Sequence, residues 1–212
     1  MRLVGMLDSP YVRRVAVSFQ LLGLRFEHQS LSVFCSYEQF RHINPVVKAP
    51  SLVLDDGTVL MDSTLILEYA EGFDAKRRSL MPAAEAERRA ALRTIGLALA
   101  ACEKSVQIYY ERITRPADKA HVPWVQRITA QLLASCSELE AQIVRHPLAA
   151  DSASIDQAGV TTAIVWHFTQ QVLPEVVPGA NYPSLQAFSA RAEDLPEFIA
   201  APHGDSTYQT PD

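Results

Sequence analysis

Two serines stand where a helix would begin. Ser9 precedes Pro10-Tyr11-Val12-Arg13, and Ser63 follows Asp62. A helix N-terminus presents unpaired N–H groups and partial positive charge, so either position can hold an anion. Either serine also reads as an ordinary cap. Lys48-Ala49-Pro50 stands at the mouth of an apolar run. There a proline either opens an edge strand in the trans form or marks a tight cis geometry. Of the three cysteines, Cys35 follows a short strand, and Cys102 and Cys136 fall on apolar helical stripes as packed residues. Their odd number, the lack of a CxxC pair and the scattering of six histidines indicate neither a disulfide framework nor a metal site.

The elements that must carry these residues fall into two halves. Arg2 to Leu7 reads as a strand, and Pro10 suits the first turn of the helix that follows. Val12, Val15, Ala16, Phe19 and Leu22 recur at helical spacing up to Gly23. A second strand is expected over 25–31 and a short helix over 36–43. Ser51–Leu54 and Val59–Met61 flank Asp55-Asp56-Gly57-Thr58, a hairpin with an Asp-Gly turn. A helix is expected from Ser63 to Phe73. The order is β-α-β-α-β-β-α, with a parallel first pair, a right-handed crossover and an antiparallel hairpin.

The polar segment 74–85 separates this half from a helical one, giving expected domains of 1–77 and 86–212. Leu92, Ile95, Leu99, Cys102, Val106, Tyr109 and Ile113 form one apolar stripe with alternating steps of three and four. Its expected antiparallel partner carries Val125, Ile128, Leu132, Cys136, Leu139 and Ile143. Further helices are expected from Ser154 and over Pro183–Ala192, with a loose polar tail from Pro202. A net charge of −5 with no basic run points away from nucleic acid. The N-terminal apolar run is too short for a signal-peptide core, and no run approaches a membrane span. The expectation is a cytoplasmic protein without a membrane or nucleic-acid partner.

The motifs resemble those of the cytosolic glutathione transferases along nearly the whole chain: a thioredoxin-like domain followed by an all-helical one, α/β plus all-α. Ser9-Pro10-Tyr11-Val12-Arg13 is similar to the family's strand-to-helix turn. Asn44-Pro45 with Lys48-Ala49-Pro50 resembles its proline loop, and Met61-Asp62-Ser63 its acid-serine pair. Ser154-Ile155-Asp156-Gln157 resembles its helix N-capping box, with Gln where the family has Asp. Tyr182-Pro183-Ser184-Leu185 with Arg191, Pro196 and Phe198 resembles its last helix.

This resemblance implies glutathione as co-substrate and no metal. A cis Ala49-Pro50 bond would turn the Ala49 backbone toward the cysteinyl backbone of glutathione. Ser63 would donate to the γ-glutamyl carboxylate, Asp62 would accept from its ammonium, and Lys48 would pair with the glycyl carboxylate. Ser9 would donate to the thiolate. No cysteine occupies the first turn, which points to the serine type, found among bacterial members. Tyr109 and Tyr110 would contribute to a second-substrate pocket. The implied activity is conjugation of glutathione to hydrophobic electrophiles, in detoxification, by a homodimer. The alternatives are a glutathione-dependent peroxidase or thiol lyase, and a non-catalytic interaction or stress protein.

Overall fold

The computed structural model describes residues 1–73 and 78–208. Its first half runs β1 (Arg2–Val4), α1 (Pro10–Leu21), β2 (Glu27–Gln29), α2 (Tyr37–Ile43), β3 (Ser51–Val53), β4 (Val59–Met61) and α3 (Ser63–Glu71). Strand order is β2-β1-β3-β4. The β1–β2 pair is parallel and the other two pairs are antiparallel, as the crossover and hairpin require. This is the expected mixed sheet. Residues 74–77, where the expected first domain ends, lie outside the described residues, as do 209–212.

Register decides what the sheet can present. Val4 pairs with Ser51, and Ser51 with Met61. The loop after β1, the loop before β3 and the helix after β4 therefore leave the sheet at one end. At the other end Arg2 pairs with Val53, and Val53 with Val59, next to the Asp-Gly turn. Both faces of the sheet are covered: Leu3 and Val4, neighbours that point to opposite faces, are fully buried, as are Leu52, Phe40, Ile66 and Phe19.

The second half runs α4 (Glu85–Ile113), α5 (Val122–Arg145), α6 (Gln157–Val172), α7 (Pro183–Glu193) and α8 (Pro196–Ile199), making eight α-helices among the described residues. The chain divides into two compact units, Met1–Leu80 with the segment from Asp194 onward, and Met81–Glu193. The sequence expectation assigned everything from 86 to 212 to the helices. Here α8 and the tail join the first unit.

Two details of the helical reading are corrected. The α4 seam is rotated by about one residue: Ala91, Thr94, Ile95, Ala98, Ala101, Cys102, Ser105 and Ile108 are buried, while Leu92 and Ile113 are each 53% exposed. Small residues at the seam let helices approach closely, and a count of large apolar residues overlooks them. On α5 the expected Ile128, Leu132, Cys136, Leu139 and Ile143 are all buried. Next, α6 starts at Gln157 with Asp156 as its cap, accepting from Gly159 N–H at 2.8 Å. Ser154 instead donates to Asp151 in the preceding turn.

Leading into the tail, Phe198 and Ala201 are fully buried, and the described part of the tail expected to be loose, 202–208, is held as well. Ser30 donates to the Asp205 carbonyl at 3.0 Å, and Tyr208 stacks on Phe26 with centroids 4.5 Å apart. These contacts cover β2, which is an edge strand that would otherwise expose unpaired backbone.

Candidate functional site

Ser9 caps α1. Its Oγ accepts from Val12 N–H at 3.4 Å, and its carbonyl accepts from Arg13 N–H at 3.0 Å. The cap is a long one, and the residue is half-buried at the end of the sheet. The Asp8 carboxyl beside it is held above the ordinary carboxylate range. The main cause is partial burial of that carboxyl, although the residue as a whole is exposed. The Asp205 charge adds to the effect, and Ser9 N–H opposes it.

The helix that Ser9 opens is buried nearly all round. Arg13, Arg14 and Ser18 are as enclosed as the apolar stripe. Arg13 donates from Nε to the Ala201 carbonyl at 2.7 Å and from Nη2 to that of Phe198 at 3.3 Å, with the guanidinium over the Phe198 ring. This agrees with a structural role. Arg14 turns the other way: its Nη1 donates to Ser63 Oγ at 3.1 Å and to Thr64 Oγ1 at 3.0 Å. Sequence reasoning passed over Arg14. It lies off the apolar stripe, so periodicity reads it as surface, and only a helix enclosed on both sides makes it internal.

The proline loop is fixed by a side-chain network. Asn44, 2% exposed, donates from Nδ2 to Ser51 Oγ at 2.8 Å and accepts Val46 N–H at 3.0 Å. Ser51 Oγ in turn donates to the Lys48 carbonyl at 2.7 Å. Ala49–Pro50 is cis. The Lys48 side chain is exposed, Ala49 is half-buried and Pro50 is buried. Gly5, at φ 136°, makes room for this loop. A Cβ there would meet Val12 Cγ2 at 2.6 Å and Ala49 Cβ at 3.1 Å. A side chain at position 5 would thus push Ala49 and α1 apart.

Asp62 and Ser63 form the third wall. Asp62 sits at φ 74°, which an L side chain rarely adopts outside functional turns, and its carboxylate accepts Thr64 N–H at 2.9 Å. Ser63 is 3% exposed and rests on Arg14. A carboxylate does seat on a helix start elsewhere in this chain. Within the helical unit, Glu140 accepts from the N–H groups of Ser184 and Leu185, both at 2.9 Å.

One end of the sheet thus brings together a hydroxyl at a helix start, a backbone edge at Ala49 and an acid-serine pair at a second helix start. A cleft of about 540 Å³ beside the hairpin turn, lined by residues such as Leu24, Leu54, Asp55 and Phe73, lies at the opposite end of the strands. Tyr109 and Tyr110 lie on α4 in the helical unit, with ring centroids 6.2 Å apart; Tyr109 is half-buried and Tyr110 exposed. Cys35 is exposed on its loop. Cys102 and Cys136 are buried, and burial pushes the Cys136 thiol up to about 12. Among the described residues no cluster of three or more His, Cys, Asp or Glu side chains could hold a metal ion. Nor is any helix long and apolar enough to cross a membrane.

Residues 3–77 match the family model described as the glutathione S-transferase N-terminal domain. Glutathione S-transferase U4 of Arabidopsis thaliana is 33% identical over 70 residues, 33% of this chain and 31% of that protein, so the match spans about a third of the curated relative's length. Two solved structures are similar over almost the full chain. A glutathione transferase family member from Pseudomonas fluorescens Pf-5, with bound S-(propanoic acid)-glutathione, is 25% identical with a TM-score of 0.78, covering 95% of this chain and 98% of its own. A glutathione S-transferase from Methylobacterium radiotolerans, in complex with glutathione sulfonate, shares the fold at 24% identity and a TM-score of 0.84, over 94% and 93% of the two chains. Residues 3–77 thus match a glutathione S-transferase N-terminal domain, here of thioredoxin-like fold, and the helical domain that follows it in sequence completes a fold shared with solved glutathione transferases.

Proposed function

We propose that this protein binds glutathione at the Ser9, Ala49 and Ser63 end of the sheet and transfers its thiolate to a hydrophobic electrophile. The observation that carries the reading is the register: Val4, Ser51 and Met61 lie side by side, so three ligand-competent loops leave the sheet together. The glutathione derivative bound by the Pseudomonas relative supports the same ligand class. In this reading the Ala49 backbone pairs with the cysteinyl backbone as an added strand. The γ-glutamyl carboxylate meets the start of α3 and the Ser63 hydroxyl. Asp62 accepts from the γ-glutamyl ammonium, and Lys48 faces the glycyl carboxylate.

Ser9 is the activating residue of a serine-type transferase. A free thiol titrates near 8.5, so only a few per cent is thiolate at neutral pH. A helix start and a hydroxyl donor favour the anion. The electrophile then forms a carbon–sulfur bond as its leaving group departs or as its double bond takes the electron pair. Tyr109 and Tyr110 serve the second substrate, and the working form is a cytoplasmic homodimer. Leu65, Tyr69 and Phe73 support the dimer, since they follow one another at intervals of four and are 59%, 41% and 46% exposed.

The test is calorimetry with glutathione, then turnover of a chlorinated aromatic. Ser9→Ala is expected to keep glutathione affinity within a few-fold and to lower kcat about ten-fold, on the order of 1.4 kcal/mol. Its bound thiol should titrate higher. A wild-type chain that takes up no glutathione defeats the reading. A Ser9→Ala enzyme with full turnover and unchanged thiolate absorbance reduces Ser9 to a helix cap.

A further inference from the structure

Arg13 and Arg14 are neighbours on α1, so their side chains leave the helix about 100° apart. One reaches the 198–201 segment and the other the start of α3. Arg14 is 3% exposed, and a buried guanidinium persists only where its N–H groups are met. Its Nη1 carries two hydrogens and lies 3.1 Å from Ser63 Oγ and 3.0 Å from Thr64 Oγ1.

A guanidinium is a donor only, so both oxygens are acceptors in these contacts. A serine hydroxyl has one hydrogen and two lone pairs. With one lone pair held by Arg14, the Ser63 hydrogen has to point elsewhere. Ser63 is the first residue of α3, where an incoming anion meets free N–H groups.

We propose that Arg14 is a positioning residue for the ligand carboxylate. It holds Ser63 Oγ as an acceptor so that the serine's own hydrogen is presented to the γ-glutamyl carboxylate. This rests on the glutathione-binding reading above. The arrangement also sets a fixed positive charge one hydroxyl away from the anion, in a place where water is excluded and the charge is weakly screened. The alternative role for Arg14 is that of a brace between α1 and α3, and the two roles separate in the ligand each one feels. A brace affects every ligand of the site, whereas a positioning residue affects only ligands that bring the carboxylate.

The test compares glutathione with γ-aminobutyryl-cysteinyl-glycine, which lacks that carboxylate, by calorimetry on the full chain. Arg14→Gln is expected to weaken glutathione about ten-fold and the decarboxylated analogue less than two-fold. In a Ser63→Ala background, Arg14→Gln should weaken glutathione less than three-fold, because the group it works through is gone. Arg14→Lys, which keeps the charge on one donor nitrogen in place of the planar guanidinium fork, should fall between wild type and Arg14→Gln, and it carries the test if Arg14→Gln does not fold. Equal losses on both ligands mark a brace and overturn the proposal. So does an unchanged glutathione affinity, or a full ten-fold loss in the Ser63→Ala background. Wild-type protein that binds neither peptide defeats the binding reading itself, which is a separate outcome.

Discussion

Arg13→Met tests whether the tail is part of the first unit. The wild-type guanidinium makes a 2.7 Å bond to the Ala201 carbonyl and a 3.3 Å bond to that of Phe198. A short charge-assisted bond contributes roughly 1.5–3 kcal/mol and a long one about 1 kcal/mol. Its position over the Phe198 ring adds about 0.5–1 kcal/mol. Methionine keeps much of the stem's packing and removes the burden of burying a cation, which returns part of this sum. The expected net loss is about 2–4 kcal/mol, concentrated at residues 196–201. Because the chain has two units, a single unfolding free energy is a poor measure. Hydrogen exchange resolves the segment instead. The amides of Ala200 and Ala201, which donate to Pro196 and Phe198, should exchange about 30-fold faster or more, since each 1.4 kcal/mol is a factor of ten. Unchanged exchange there, with wild-type resistance to carboxypeptidase, would refute the argument. Arg13 would then be an incidental contact and the tail would be held by something else.

Four further outcomes follow. The His28 Nδ1 accepts Tyr208 N–H at 2.9 Å, so its proton sits on Nε2 and is donated to the Gly5 carbonyl at 2.7 Å. Burial lowers the His28 pKa below 6.5, so its stabilising contribution is complete above the unfolded value and is lost as pH falls toward the folded one. Once corrected for intrinsic amide exchange, Tyr208 exchange should therefore accelerate as pH falls below 6.5, and should lose that dependence in His28→Gln. Ser63→Ala should weaken glutathione by about 1–3 kcal/mol in calorimetry, leaving the carboxylate one donor short. Gly5→Ala should lower thermal stability by at least about 1 kcal/mol and disturb glutathione binding, because its methyl meets Val12 and Ala49. Leu65→Glu together with Tyr69→Glu should give a monomer by sedimentation at micromolar concentration if α3 carries the dimer contact.

The fold was legible because local signals agreed with one another. Asp-Gly at 56–57, Pro10 after Ser9 and the strand-helix-strand order each allow few alternatives. The α4 seam came out one residue off because Ala91, Ala98 and Ala101 are weak markers of a buried face. Arg14 was unreadable for a related reason: a charged residue becomes internal only when elements far along the chain close over it. The tail followed the same logic. Its composition is polar, yet Tyr208 N–H meets His28 across 180 positions of sequence, and no local window contains that pair. Asn44 was noticed for its place in a motif, but its work, tying Val46 and Ser51 together, depends on a loop closure that spacing does not encode.

The two sides of the site differ in mechanical character. Ser9 opens a helix with ten of its twelve residues buried, so the amides beyond its first turn can meet water only when much of the first unit opens. Ala49 lies in a loop whose Pro45, Val46 and Lys48 face solvent, held chiefly by the Asn44 and Ser51 side chains. Under the proposed glutathione-binding mode, an arriving peptide meets one anvil and one latch. The geometry that would face the thiol is set before the ligand comes, while the edge that would pair with its backbone can give way in nanoseconds to microseconds and close again. Changes that loosen the latch should therefore appear first in the rate at which the peptide leaves, and only later in the chemistry at sulfur.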